Sequence, residues 1–127
     1  PTTLSSSATV REAAQAMKDL GIGDVVVVQG DALCGVVTDR DLVVRAMAED
    51  LDPSTTTVGE VCTPDPMTLA PDDPVEKATR LMREQAVRRI PVVENGRPVG
   101  IVSIGDLAVE LDAESALAFI SAAPANN

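Results

Sequence analysis

Residues 35–42, GVVTDRDL, return at residues 100–107 as GIVSIGDL, and the interval of 65 positions separating them holds along most of the chain. Val10 matches Val75, Ala13 matches Ala78 and Met17 matches Met82. Val27 with Val92, Val28 with Val93, Gly35 with Gly100, Val37 with Val102, Asp41 with Asp106, Leu42 with Leu107 and Val44 with Val109 keep the same offset. The Gly and Asp matches weigh most, because a Val-rich chain meets itself by chance. A repeat without slippage means one supersecondary unit built twice. The whole chain has 127 residues, and half of that buries too little surface to be comfortably stable alone, so the two copies are expected to share a core.

Within each copy the hydrophobic period changes in a fixed order. Val10, Ala13, Met17 and Leu20 fall on one face of a helix, and Val75, Ala78 and Met82 repeat that face. Thr9 and Glu12 have capping-box spacing, while Asp72 or Asp73 is placed to cap the second helix with Pro74 in its first turn. Val25–Val28 and Ile90–Val93 read as short strands buried on both faces. Turns follow at Gly30-Asp31 and Glu94-Asn95-Gly96, and return strands at Leu33–Val37 and Pro98–Val102. A second helix then starts near Thr38 or Ser103, running through Leu42, Val43 and Met47, or through Leu107 and Leu111. Extended segments at Thr2–Leu4 and Met67–Leu69 add one strand apiece. The organisation expected is repeat 1 over residues 1–50 and a connector over 51–66 with a helical turn at Val58–Cys62. Repeat 2 covers 67–112, and a C-terminal amphipathic helix with a frayed tail covers 113–127.

Composition removes several function classes. Ten basic against twenty acidic residues give a net charge of −10, which repels nucleic acid and anionic membrane. One Phe and no Trp or Tyr leave no stacking platform for single strands. No apolar run approaches the roughly 20 residues that span a bilayer, so the chain reads as soluble and its expected compartment is the cytoplasm. The start, PTTLSSSATV, lacks an initiator Met and a signal-peptide pattern, so the segment reads as trimmed, with any targeting signal lying ahead of it. Cys34 and Cys62 form no CxxC pair, and without His there is no zinc set. They read as free thiols of a reducing compartment, with a disulfide between them as the alternative. The absence of His also removes an imidazole base, and no Ser or Cys sits in a nucleophile motif, so an enzyme is not expected and no catalytic or metal-binding residue is assigned.

The repeated corner is where chemistry concentrates. Gly35 and Gly100 allow close approach of backbone or ligand. Thr38 and Ser103, three residues on, stand where a helix start offers unpaired amides and partial positive charge, a setting for an anion. Asp41 and Asp106 follow one turn later, where a carboxylate accepts hydrogen bonds from a ribose diol. Hydroxyl and amides for phosphate, carboxylate for sugar: the spacing suits a nucleotide. The same Ser/Thr-x-x-Asp spacing also describes a capping box that merely satisfies the helix end. Arg40 at the first corner, and Arg88 and Arg89 near the second, are candidate cations for an anionic ligand in this acidic chain; the alternative for the latter two is a solvated face.

The element order, Ile90-Pro91-Val92-Val93 and the doubled G-h-h-[ST]-x-x-D-L resemble a tandem cystathionine β-synthase (CBS) domain pair, the Bateman module, over nearly the whole chain. TDRDLVVRAMAEDLDPSTTTVGE further resembles free-standing two-CBS proteins of the hypoxic-response type. The resemblance implies an α/β (α+β) fold of two βαββα repeats packed sheet to sheet about a pseudo-two-fold axis, with two clefts between them, and a homodimer formed through the helices. It implies as ligands AMP, ADP, ATP or S-adenosylmethionine, with Thr38 or Ser103 on phosphate and Asp41 or Asp106 on ribose. The adenine would lie on aliphatic walls near Val25–Val27 and Val87–Val92. Pro91 in place of Val26, and Gly105 in place of Arg40, make the two corners unequal. The function expected is a regulatory adenosyl-ligand module acting on an unidentified protein partner, with no cofactor required. Its alternative is a structural dimerisation module with empty clefts.

Overall fold

In the computed structural model, residues 2–105 and 107 are described; Asp106 and the expected C-terminal helix and tail lie outside them. The chain divides into two compact units at Pro66/Met67. In the first, β1 (Thr3–Ser5) leads to α1 (Val10–Leu20), β2 (Asp24–Gln29) and β3 (Ala32–Thr38). Next come α2 (Asp39–Asp41), continuing as a π-helical segment Leu42–Met47, then α3 (Val58–Val61) and β4 (Thr63–Pro64). The second unit contains α4 (Val75–Gln85), β5 (Arg89–Glu94) and β6 (Arg97–Ser103).

The offset of 65 read from the sequence is an offset of structure. α1 and α4 are both 11 residues long and begin at equivalent positions. β2 pairs antiparallel with β3 and β5 with β6, each with a register shift at the same place, between Val27 and Val28 and between Val92 and Val93. The bond from Asp39 N–H to the Gly23 carbonyl, 3.0 Å, reappears from Ile104 N–H to the Arg88 carbonyl, 2.9 Å. Both bonds fix the backbone where the last strand turns into the following helix.

Burial follows the same register. Val10, Ala13, Met17, Val25, Val27 and Val37 form the first core together with Ala46, Val58, Val61 and Cys62. Leu69, Ala78, Met82, Ile90 and Leu107 form the second, with Val75, Val92 and Val102 packed against it. Among the described residues each unit thus has its own cluster of buried side chains. Leu20, expected on the buried face of α1, is 58% exposed; the chain leaves the helix at Gly21 (φ 64°), one residue later.

Segment 51–66 belongs physically to the first unit. The Val10 and Arg11 amides at the start of α1 donate to the carbonyls of Thr56 and Pro53, both at 2.9 Å, while Glu12 N–H donates to Thr9 Oγ1 at 3.1 Å. Those bonds satisfy orphan donors of the helix start. In return Val58 N–H bonds the Ala8 carbonyl, and a Cβ on Gly59 would lie 2.9 Å from the Ser6 carbonyl oxygen, so this crossing requires glycine. The expected turn at Val58–Cys62 is α3, and the Glu60 carboxylate accepts from Thr57 N–H (2.7 Å) and Thr57 Oγ1 (3.0 Å).

Two local expectations for the second unit are corrected. The extended segment at Met67–Leu69 makes only an isolated parallel bridge, Leu69 to Val92, whereas its counterpart β1 pairs with β2 over three residues. In β2 the Val26 amide donates to the Thr2 carbonyl; the equivalent residue is Pro91, which has no N–H to give. Nor does an aspartate cap α4. Pro74 is the N-cap, without a side-chain acceptor, and Asp73 instead accepts from Ala70 N–H (2.8 Å) and Lys77 Nζ (3.1 Å).

Candidate functional site

At the first corner, β3 ends on Thr38 and the chain turns directly into α2. Thr38 is extended (φ −111°, ψ 164°), as an N-cap must be, and its Oγ1 accepts from Asp41 N–H at 3.1 Å. Asp41 Oδ2 reaches back to accept from Thr38 N–H at 2.9 Å. The capping box that the sequence left as the alternative reading is therefore made. The other early amides are also occupied: Asp39 N–H by the Gly23 carbonyl and Arg40 N–H by Asp39 Oδ1 at 2.8 Å. The expectation of free amides waiting for an anion does not hold here.

What remains is side-chain chemistry. The Thr38 hydroxyl uses a lone pair in the cap, so its proton is still available to a phosphate oxygen. Asp41 Oδ1 faces Arg45 Nε at 3.7 Å, and the Asp41 side chain is only 14% exposed. Arg45 also donates from Nη1 to the Cys62 carbonyl at 3.4 Å, which ties the corner to the end of α3. Arg40 is exposed. Sequence reasoning chose Arg40 and missed Arg45, although an acid and a base four residues apart on a helix are the signal for such a pair. At the matching place in the second repeat stands Glu110.

Gly35 has a structural reason for lacking a side chain. A Cβ there would collide with the Thr63 carbonyl and lie 2.8 Å from Cys62 Sγ, because β4 pairs against β3 at this point. At Gly100 the nearest atom to such a Cβ is Val92 Cβ at 3.8 Å, an ordinary contact. At the second corner, Ser103 closes β6, Ile104 and Gly105 are helical, Arg88 is exposed and Arg89 half-buried. Asp106, its predicted sugar ligand, lies outside the described residues. Val25, Val26 and Val27 are buried, as are Ile90 and Pro91, so aliphatic side chains stand behind each corner. Among the described residues no group of three or more His, Cys, Asp or Glu is placed to hold a metal ion, and no helix is long and apolar enough to cross a membrane.

The family model of the CBS domain matches residues 1–47 and 58–113. The CBS domain-containing protein YhcV of Bacillus subtilis is 39% identical over 115 residues, which cover 90% of this chain and 81% of that protein. Hypoxic response protein 1 of Mycobacterium tuberculosis is 35% identical over 115 residues, covering 90% and 80% respectively. Among solved structures, CBS domain protein PAE2072 of Pyrobaculum aerophilum, complexed with AMP, superposes with a TM-score of 0.77 at 30% identity, covering 94% of this chain and 88% of that one.

Proposed function

Because the chain belongs to the CBS domain family, as a tandem pair of the free-standing type, we propose that it is a regulatory module whose two corners bind an adenine nucleotide or related adenosyl compound. The observation that carries this reading is the duplicated strand-to-helix corner in one structural register, with hydroxyl and carboxylate at a fixed spacing in the sequence. The AMP in the Pyrobaculum protein supports the ligand class. At the first corner Thr38 Oγ1 donates to phosphate, Asp41 Oδ1 accepts from a ribose hydroxyl, and Arg45 or Arg40 offsets the anionic charge. Ser103 and Asp106 take these roles at the second corner, with Arg88 and Arg89 as its cations and Gly100 leaving room beside Val92. No step of catalysis is assigned to these residues.

The signal would pass to a protein partner by a shift between conformations that differ in ligand affinity. Assembly as a homodimer is part of the proposal: Val43, Val44 and Met47, on the helix that follows the first corner, are 52%, 45% and 71% exposed. Light scattering of the purified chain tests that part.

Thermal unfolding with AMP, ADP, ATP or S-adenosylmethionine at about 1 mM tests the function. A ligand bound with Kd near 10 μM stabilises by about 2.7 kcal/mol at that concentration and raises the melting temperature by several degrees. No rise with any of the four leaves the structural dimerisation module as the reading.

A further inference from the structure

The two cysteines have no role in the nucleotide reading proposed above, yet the fold of the first unit brings them together. Cys62 follows α3 and leads into β4, which pairs with β3 at Gly35 and Val36. Val37 and Gly35 face Val25 and Val27, whose side chains build the core. Strict alternation would send Cys34 to the opposite face. The register shift leaves Cys34 as the extra residue of β3 between Gly35 and Leu33, and a bulge re-aims the side chain at that place. Cys34 accordingly packs against the same cluster that contains Cys62.

Three observations bring the sulfurs within reach. Cys62 Sγ occupies the space over Gly35, the residue next to Cys34. Beyond the effect of burial, Cys34 is near enough to the Cys62 thiol to push it upward from its ordinary value. The Cys62 thiol is reduced and donates weakly to the Gly59 carbonyl at 3.7 Å. Neither position is duplicated: Cys34 corresponds to Val99, and Cys62 has no counterpart.

We propose that Cys34 and Cys62 form an oxidation site, in which a peroxide converts the two thiols into an intramolecular disulfide that fastens β3 to the end of α3. Cys34, half-buried where Cys62 is 5% exposed, meets the oxidant first. Its sulfur attacks one peroxide oxygen, the O–O bond breaks, and the second oxygen leaves as water after taking the thiol proton. Cys62 sulfur then attacks the resulting sulfenic acid, the S–O bond breaks, and the Cys62 proton leaves with that oxygen as a second water. Two thiols are oxidised by two electrons and one peroxide is reduced to two waters. Burial first, and the neighbouring Cys34 second, push the Cys62 thiol upward from its ordinary value, which fits it to act second, on a sulfur already delivered to it.

Oxidation of the intact, fully reduced chain with one equivalent of hydrogen peroxide tests this. The expected product has lost the mass of two hydrogens, runs as a single chain without reductant, takes up no alkylating agent when denatured, and recovers both thiols with dithiothreitol. Closing a loop of about thirty residues should also raise its melting temperature by roughly 5 °C or more. Cys34→Ser should leave Cys62 reduced under the same treatment, whereas Cys62→Ser should leave Cys34 as a sulfenic or higher acid. Two alkylatable thiols after oxidation of the wild-type chain, a disulfide between chains, or a sulfinic acid at Cys34 beside a free Cys62 would each overturn the proposal.

Discussion

The two repeats use one frame and finish it differently. In the first, residues 51–66 return to bond α1, fill the core with Val58 and Val61 and add β4 beside β3. In the second, among the described residues, β5 and β6 make a two-stranded sheet with only a bridge at Leu69. Residues that are glycine, valine and threonine at three positions of the first become Ala86, Pro91 and Pro74 in the second, where they hold a left-handed helix end, omit a strand donor and leave an N-cap without an acceptor. Duplication preserved what the core needs, namely small or flexible side chains at the α1/α4 face and branched ones in the strands. It let go of the hydrogen bonds at the margins, where a loss costs less than a hole in the core.

Cutting into the two core clusters is the severest way to probe that equivalence. Met17 and Met82 are both buried, at 8% and 5% exposure, so Met17→Ala and Met82→Ala should each lose about 3 kcal/mol in urea unfolding. A loss confined to one of them would deny that the clusters are counterparts. Next in size, Gly35→Ala forces a methyl group into the Thr63 backbone and Cys62 and should cost about 2 kcal/mol or more, while Gly100→Ala should stay within about 0.5 kcal/mol. Equal costs in denaturant titrations would contradict the role given to β4.

A smaller effect of opposite sign is expected at the helix ends. Gly21 and Ala86 both adopt φ near 60° (64° and 53°), and no atom crowds a Cβ at Gly21. Ala86→Gly should therefore stabilise by about 1 kcal/mol, and Gly21→Ala should destabilise by about as much, both read from thermal unfolding. The smallest effect concerns pH. The Thr57 amide, then its hydroxyl, hold Glu60 below its ordinary value of 4.5, and the Ala70 amide, then Lys77, hold Asp73 below 3.8. A lowered folded-state value contributes stability that is present above the unfolded value and lost as pH falls through the folded one. Glu60→Gln should flatten the acid side of the stability profile below about pH 4.5, and Asp73→Asn below about pH 3.8, neither changing the slope near neutrality.

Much of the frame was legible because it depends on residue type at fixed spacing. The α1 and α4 faces, the hairpins around Gly30 and Asn95, and the turn at Val58 followed from periodicity and turn chemistry. β4 did not, since Thr63-Pro64 carries no strand pattern and pairs only because Gly35 lets it approach. The π-helical winding of Leu42–Met47 likewise leaves no period in so short a segment. At the corner, the Thr38-x-x-Asp41 spacing announced both a cap and a sugar ligand, and only coordinates show the cap made and the early amides already in use. Closeness in sequence to Thr38 points to Arg40, whereas the four-residue helical step from Asp41 points to Arg45, which forms the pair.

Calorimetric titration of the reduced chain with AMP, beside Thr38→Ala and Ser103→Ala variants, puts the regulatory reading to its most direct test. The account predicts binding heat from two unequal sites, one class vanishing with each hydroxyl removed. An absence of heat up to millimolar AMP, or heat indifferent to both substitutions, would contradict it.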